Sequence, residues 1–123
     1  VNTFSRATLA PPNGAGSWVF GAGMALGRRV LASNTDTNLL HTGFTACDSY
    51  RGGEAAMAQI TAPVLLVLGE QDQMTPPKAA KGLIAAAQAA GKSVKVQMIP
   101  NGHNQMTESP DPTLFAIYGF LKP

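Results

Sequence analysis

Cysteine, histidine and charge are all scarce in this sequence, and each scarcity removes a class of protein. One cysteine, Cys47, cannot close an internal disulfide. The two histidines, His41 and His103, stand 62 positions apart (103 − 41), which is not a zinc-ligand spacing, so no metal site is expected. Only 13% of the residues are charged, and nine Lys plus Arg against seven Asp plus Glu leave a formal net charge of +2. No like-charged run exceeds Arg28-Arg29, so neither nucleic acid nor a membrane surface is an expected partner. The most apolar stretch, Trp18 to Ala32, is shorter than the ~20 residues a bilayer requires and contains both of those arginines. The chain opens at Val1 with no charged leader followed by an apolar core, and the expectation is a cytoplasmic protein.

What is present is enough for one packed unit: 123 residues, 45% of them apolar. Residues 1–16, with Pro11-Pro12-Asn13-Gly14 and Gly16, read as a loop, because proline opposes helix and glycine permits left-handed backbone. From Ser17 onward Val19, Gly23, Leu26 and Val30 fall at helical spacing, and a helix apolar on nearly every side is expected to be covered. Asn38 to Tyr50 predicts a second helix, with Leu40, Phe44 and Cys47 on one face. After Gly52-Gly53, Glu54 to Ile60 predicts a short third. Val64-Leu65-Leu66-Val67-Leu68, set between Pro63 and Gly69, is the uninterrupted apolar run of a parallel strand buried on both faces, hence a central strand. Thr75-Pro76 reads as an N-cap followed by proline at the first helical position, Ala80, Leu83, Ile84 and Ala87 form one apolar face, and Gly91 closes the helix. Val94, Val96 and Met98 alternate with Lys95 and Gln97 as a second strand. A last helix with Pro112 near its start would turn Leu114, Ile117, Tyr118 and Leu121 inward. The expected fold class is α/β: a helical segment over residues 17–60, then a parallel β-α-β-α portion over 61–123 with a right-handed crossover.

Ligands of parallel sheets bind beyond the carboxyl ends of the strands. Two polar residues fall there: Asp72, four past Leu68, and His103, four past Ile99. One helix and one strand separate them, so a carboxylate and an imidazole can meet at one end of the sheet. A carboxylate hydrogen-bonded to one imidazole nitrogen fixes the tautomer and leaves the other nitrogen to take a proton from a nucleophile.

With these residues in view the chain resembles the C-terminal part of an α/β-hydrolase. The likeness rests on Pro63 to Pro76, read as P-V-L-L-V-L-G-E-Q-D-Q-M-T-P, with its Gly-x-x-Asp-x-x-x-Pro segment from Gly69 to Pro76, and on Gly102-His103 after a strand. The resemblance covers residues 61–123 and extends in a looser form over 17–60. It implies that Asp72 is the acid and His103 the base of a Ser-His-Asp triad, that the helices before Pro63 correspond to a cap, and that no cofactor is needed. The Gly-x-Ser-x-Gly nucleophile elbow is nowhere in the sequence, and the early strands and oxyanion loop are missing too. Ser93 and Ser17 lack the second glycine or the preceding strand. The resemblance therefore implies a hydrolase, acting on carboxylic esters or related acyl substrates, whose serine lies outside this chain. The partner it implies is the missing N-terminal half of the same protein or a second copy of this chain. The other reading is a non-catalytic α/β binding or interaction module.

Met74 and Met106, two or three positions from the proposed acid and base, are candidates to bind the substrate, as are Trp18 and Phe20 of the cap-like segment. Glu70 and Glu108 read as solvated or helix-capping, His41 as partly buried, and Cys47 as a small apolar filler. Gly21, Gly23 and Gly27 approximate a dinucleotide-binding turn, but Leu26 stands where its third glycine belongs, and helix packing explains them.

Overall fold

Two strands and the order in which helices interrupt them set the architecture. The structure, a computed structural model, describes the backbone of residues 16–122 and the side chains of 21–122. Of the loop expected over residues 1–16, residues 1–15 lie outside the described residues and Gly16 instead begins α1. Helices α1 (Gly16–Ala32), α2 (Leu39–Ser49) and α3 (Gly53–Gln59) precede strand β1 (Val64–Gly69). A 3₁₀ turn (Pro77–Ala80) and helix α4 (Lys81–Ala89) lead to β2 (Val94–Ile99), then to α5 (Gln105–Glu108) and α6 (Pro110–Leu121). The fold is mixed α/β, and no helix among the described residues is long and apolar enough to cross a membrane.

The strands pair in parallel with no stagger, Val64 beside Val94 and Gly69 beside Ile99. They therefore end level, and the loops that follow leave the sheet side by side. The pairing continues beyond them: the Glu70 amide donates to the Ile99 carbonyl at 2.9 Å and the Gln71 amide to the Asn101 carbonyl at 2.9 Å.

Local chemistry explains most of the boundaries. Asn38 caps α2, its Oδ1 accepting from the His41 amide at 3.0 Å. Helix α4 ends at Gly91, which adopts φ +69°, the left-handed conformation that favours glycine. Its amide bonds to the Gln88 carbonyl and that of Lys92 to the Ala87 carbonyl, both at 2.9 Å, the pair of bonds that satisfies a helix C-terminus. The predicted apolar face of α4 is borne out: Ala80 and Ala87 are buried, and Leu83 and Ile84 half-buried. Helix α3 lies along α4, so close that Gly53 and Gly82 face side chains of the opposite helix.

The structure corrects several expectations. Thr75 is not the helix cap; a residue before proline is pushed out of the helical region, so Pro76, followed by Pro77, is extended (φ −60°, ψ 156°) and the helical turn starts at Pro77. Among the described residues β1 is not central: the sheet has two strands, each is an edge, and residues 64–68 are half-buried. Leu114, Ile117, Tyr118 and Leu121 do not face a core; all four are exposed, as is Phe115 at 69%, because one short sheet cannot cover a twelve-residue apolar helix. Val96 and Met98 on β2 and Leu26 on α1 are exposed for the same lack of a covering layer. On α2 no residue is buried, and Phe44, His41 and Cys47 all lie at the surface.

Gly69 is the position where the sheet and the next loop come closest. A Cβ there would lie 2.2 Å from the Gly102 carbonyl oxygen and 2.8 Å from that of Asn101, both backbone atoms that cannot swing away. A Cβ on Gly82 would meet only the far end of the Glu54 side chain. Gly69→Ala is therefore expected to lower the melting temperature by about 10 °C or more, and Gly82→Ala to leave it within a few degrees. Differential scanning fluorimetry of the two variants checks this, and equal shifts would show that the loop contact at Gly69 is not tight.

Candidate active site

The level ends of β1 and β2 bring Asp72 and His103 together. Asp72 Oδ2 and His103 Nδ1 are 2.9 Å apart, a hydrogen bond with ion-pair geometry. Asp72 is 5% exposed, whereas the His103 side chain keeps 30% of its surface in contact with solvent. The acid is thus held inside, and the base reaches outward from it.

The segment after β1 is built to hold a carboxylate. Asp72 Oδ1 accepts from the Met74 amide at 2.8 Å and the Thr75 amide at 2.9 Å, folding residues 72–75 into a side-chain-capped turn. Thr75 Oγ1 donates to Asp72 Oδ2 at 3.0 Å and sits 3.2 Å from His103 Nδ1, so hydroxyl, carboxylate and imidazole form one cluster. Burial by itself pushes the Asp72 carboxyl up. The hydrogen bonds from His103, from the Thr75 and Met74 amides and from the Thr75 hydroxyl outweigh it and hold the pKa below the ordinary aspartate value.

The segment after β2 holds the imidazole from below. Asn101 and Gly102 are buried where Gly69 gives them room. The Glu108 carboxylate accepts the Gly102 amide at 2.7 Å through Oε2 and the Asn104 amide at 3.0 Å through Oε1. Thr113 is also buried and ties α6 to α5, its Oγ1 donating to the carbonyls of Ser109 (2.8 Å) and Gln105 (3.1 Å). Asn101 is fully buried, and neither atom of its amide has a hydrogen-bond partner among the described residues. Such an orphaned group costs about 1–3 kcal/mol, so the two loops are held close against a local penalty.

An imidazole that donates Nδ1–H to a buried carboxylate carries its basic lone pair on Nε2 and is stabilised when it accepts a proton there. The arrangement can therefore serve as an oriented general base.

The predicted binding residues fare unequally. Met74 is half-buried and lends its amide to Asp72, which places it in the site loop. Met106, on α5, is 74% exposed. Trp18 and Phe20 fall in the first turns of α1, and their side chains lie outside the described residues. A cavity of about 330 Å³ lies between β2 and α6, lined by Lys95, Gln97, Pro112, Phe115, Ala116 and Gly119, and none of the predicted residues borders it. Sequence reasoning missed Thr75 as a ligand of the acid, although its spacing of three from Asp72 is that of a side-chain-capped turn. It assigned Glu108 to solvent or to a helix cap; the carboxylate is buried, and one of its two bonds is indeed to Asn104, the residue at the N-cap position just before α5.

No family model matches the chain, and neither does any curated protein or solved structure.

Because the folded pKa of Asp72 lies below its unfolded value of about 3.9, its contribution to stability is fully present above about pH 4 and is lost as pH falls through the folded value. Asp72→Asn is expected to be less stable than the native chain near neutral pH, and the two urea midpoints should converge as pH falls below about 4. Urea titrations between these limits read the effect, and a constant offset at every pH would mean that the carboxylate is not stabilised in its charged form.

Proposed function

We propose that the chain is the acid-and-base portion of an α/β-hydrolase-type enzyme acting on carboxylic esters or related acyl substrates. The carrying observation is the 2.9 Å bond between His103 Nδ1 and the buried Asp72 carboxylate, at the level carboxyl ends of two adjacent parallel strands. On this reading His103 Nε2 removes the proton of a serine hydroxyl supplied from outside the chain. The serine oxygen bonds to the acyl carbon, and the protonated imidazole then gives its proton to the departing alkoxide. Water, deprotonated by the same nitrogen, then bonds to the acyl carbon; the serine–acyl bond breaks, the acid departs, and the imidazolium returns its proton to the serine oxygen. Asp72 orients the ring and balances its positive charge while it is protonated. Helices α1 to α3 take the place of a cap.

The same reading accounts for the surface. The exposed apolar face of α6 and the unladdered edge of β1 are where the rest of the enzyme would pack, whether the N-terminal half of the same protein or a second copy of this chain. Two parallel strands alone make a marginal sheet.

Hydrolysis of p-nitrophenyl esters by the product of the complete reading frame, compared with this 123-residue chain, tests the reading. The complete product is expected to be active and the chain alone inactive. His103→Ala in the complete product should lower kcat about 10³-fold or more, with Asp72→Asn of similar size. An active complete product indifferent to His103→Ala would sink the proposal. An inactive one would favour a binding module. Size-exclusion chromatography with mass spectrometry addresses the packing partner: a dimer or a co-purifying polypeptide supports it, and a clean monomer speaks against it.

A further inference from the structure

Glu108 has more bonds than a helix cap needs. Helix α5 is four residues long and starts after Asn104, so a carboxylate reaching back from Glu108 to the Asn104 amide is a capping contact. The second bond, from Oε2 to the Gly102 amide at 2.7 Å, goes to a residue outside any helix. Between those two amides lies His103. One buried carboxylate thus grips the peptide units on both sides of the imidazole-bearing residue, leaving its Cα little freedom. In a low-dielectric setting such charge-assisted bonds are strong, and losing one partner strands the other. Thr113, bonded to the Gln105 and Ser109 carbonyls, fixes the corner from which Glu108 reaches.

We propose that Glu108 is a positioning residue for His103: it holds the 102–104 backbone in the one placement from which Nδ1 meets Asp72, and so sets which ring nitrogen carries the proton. The inference rests on reading Asp72 and His103 as an acid–base pair. The bonds of Glu108 go to the backbone amides of Gly102 and Asn104. It acts through the loop alone, whereas Thr75 meets both the acid and the ring.

Two-bond ¹H–¹⁵N correlation spectra of the full chain distinguish the neutral tautomers of His103 directly and require no activity. The native chain is expected to show His103 as the Nδ1–H tautomer. In Glu108→Ala the share of that tautomer should fall by about two-fold or more while amide signals of the remote helix α4 stay in place. Glu108→Gln, which keeps the volume and one acceptor, should fall between them, and it decides the matter if the alanine variant fails to fold. Native tautomer populations in a folded Glu108→Ala, or in Glu108→Gln where only that variant folds, would overturn the role of Glu108 and leave the pair standing. A native chain without the Nδ1–H tautomer would overturn the pair itself, and the inference with it.

Discussion

The Asp72 carboxylate is the group on which the arrangement depends. It is withdrawn from water, which by itself is costly for a charge, and it is kept ionised because four donors converge on it: two backbone amides, a threonine hydroxyl and an imidazole. Three of the four come from the turn that follows β1, so the segment that delivers the acid also solvates it. The fourth comes from the loop after β2 and joins the two strands through side chains beyond the point where their backbones stop pairing. Replace the carboxylate and the turn, the threonine and the imidazole all lose their common partner.

Burial in the chain is distributed in an unusual way for this composition. The buried apolar residues among those described are Met57, Ala80, Ala87 and Ile99, of which only two are large. Matching them are four buried polar residues, Asp72, Asn101, Glu108 and Thr113, and all of these lie beyond the carboxyl ends of the strands. The large aliphatic and aromatic side chains of α6 are meanwhile at the surface. Order at the candidate site therefore comes from directional bonds to amides and carbonyls more than from apolar contact. Such bonds fix angles as well as distances, which an oriented acid–base pair requires.

Much of this could be read from residue types alone, and the exceptions have physical causes. The helix and strand bounds of residues 38–99 follow from local signals, Asn38 as a cap, Pro63 and Gly69 around an apolar run, Gly91 as a stop, and outside the stretch after Thr75 the structure moves them by a residue or two. The meeting of Asp72 with His103 was legible because strand order and loop length constrain it. The inward face assigned to α6 failed because periodicity tells which residues share a side and not whether anything covers that side. Glu108 was misjudged in part because a four-residue helix is too short to give a periodic signal, and because its second partner is a glycine amide, which no side-chain pattern marks. Thr75 read only as a helix cap, and the consecutive prolines after it remove that role and leave its hydroxyl to the acid.

The level pairing of the strands also makes β1 its own reporter. The amides of Val64 and Glu70 both point toward β2, bonding to the Ser93 and Ile99 carbonyls. Strand alternation turns the amides of Leu66 and Leu68 the same way, and those of Leu65, Val67 and Gly69 the opposite way, toward the outer edge. A strand docking alongside would slow deuterium uptake at these last three while leaving the alternate set unchanged. The every-second-residue rhythm of that protection, absent from a helix or loop laid over the same surface, would reveal the kind of neighbour the chain takes.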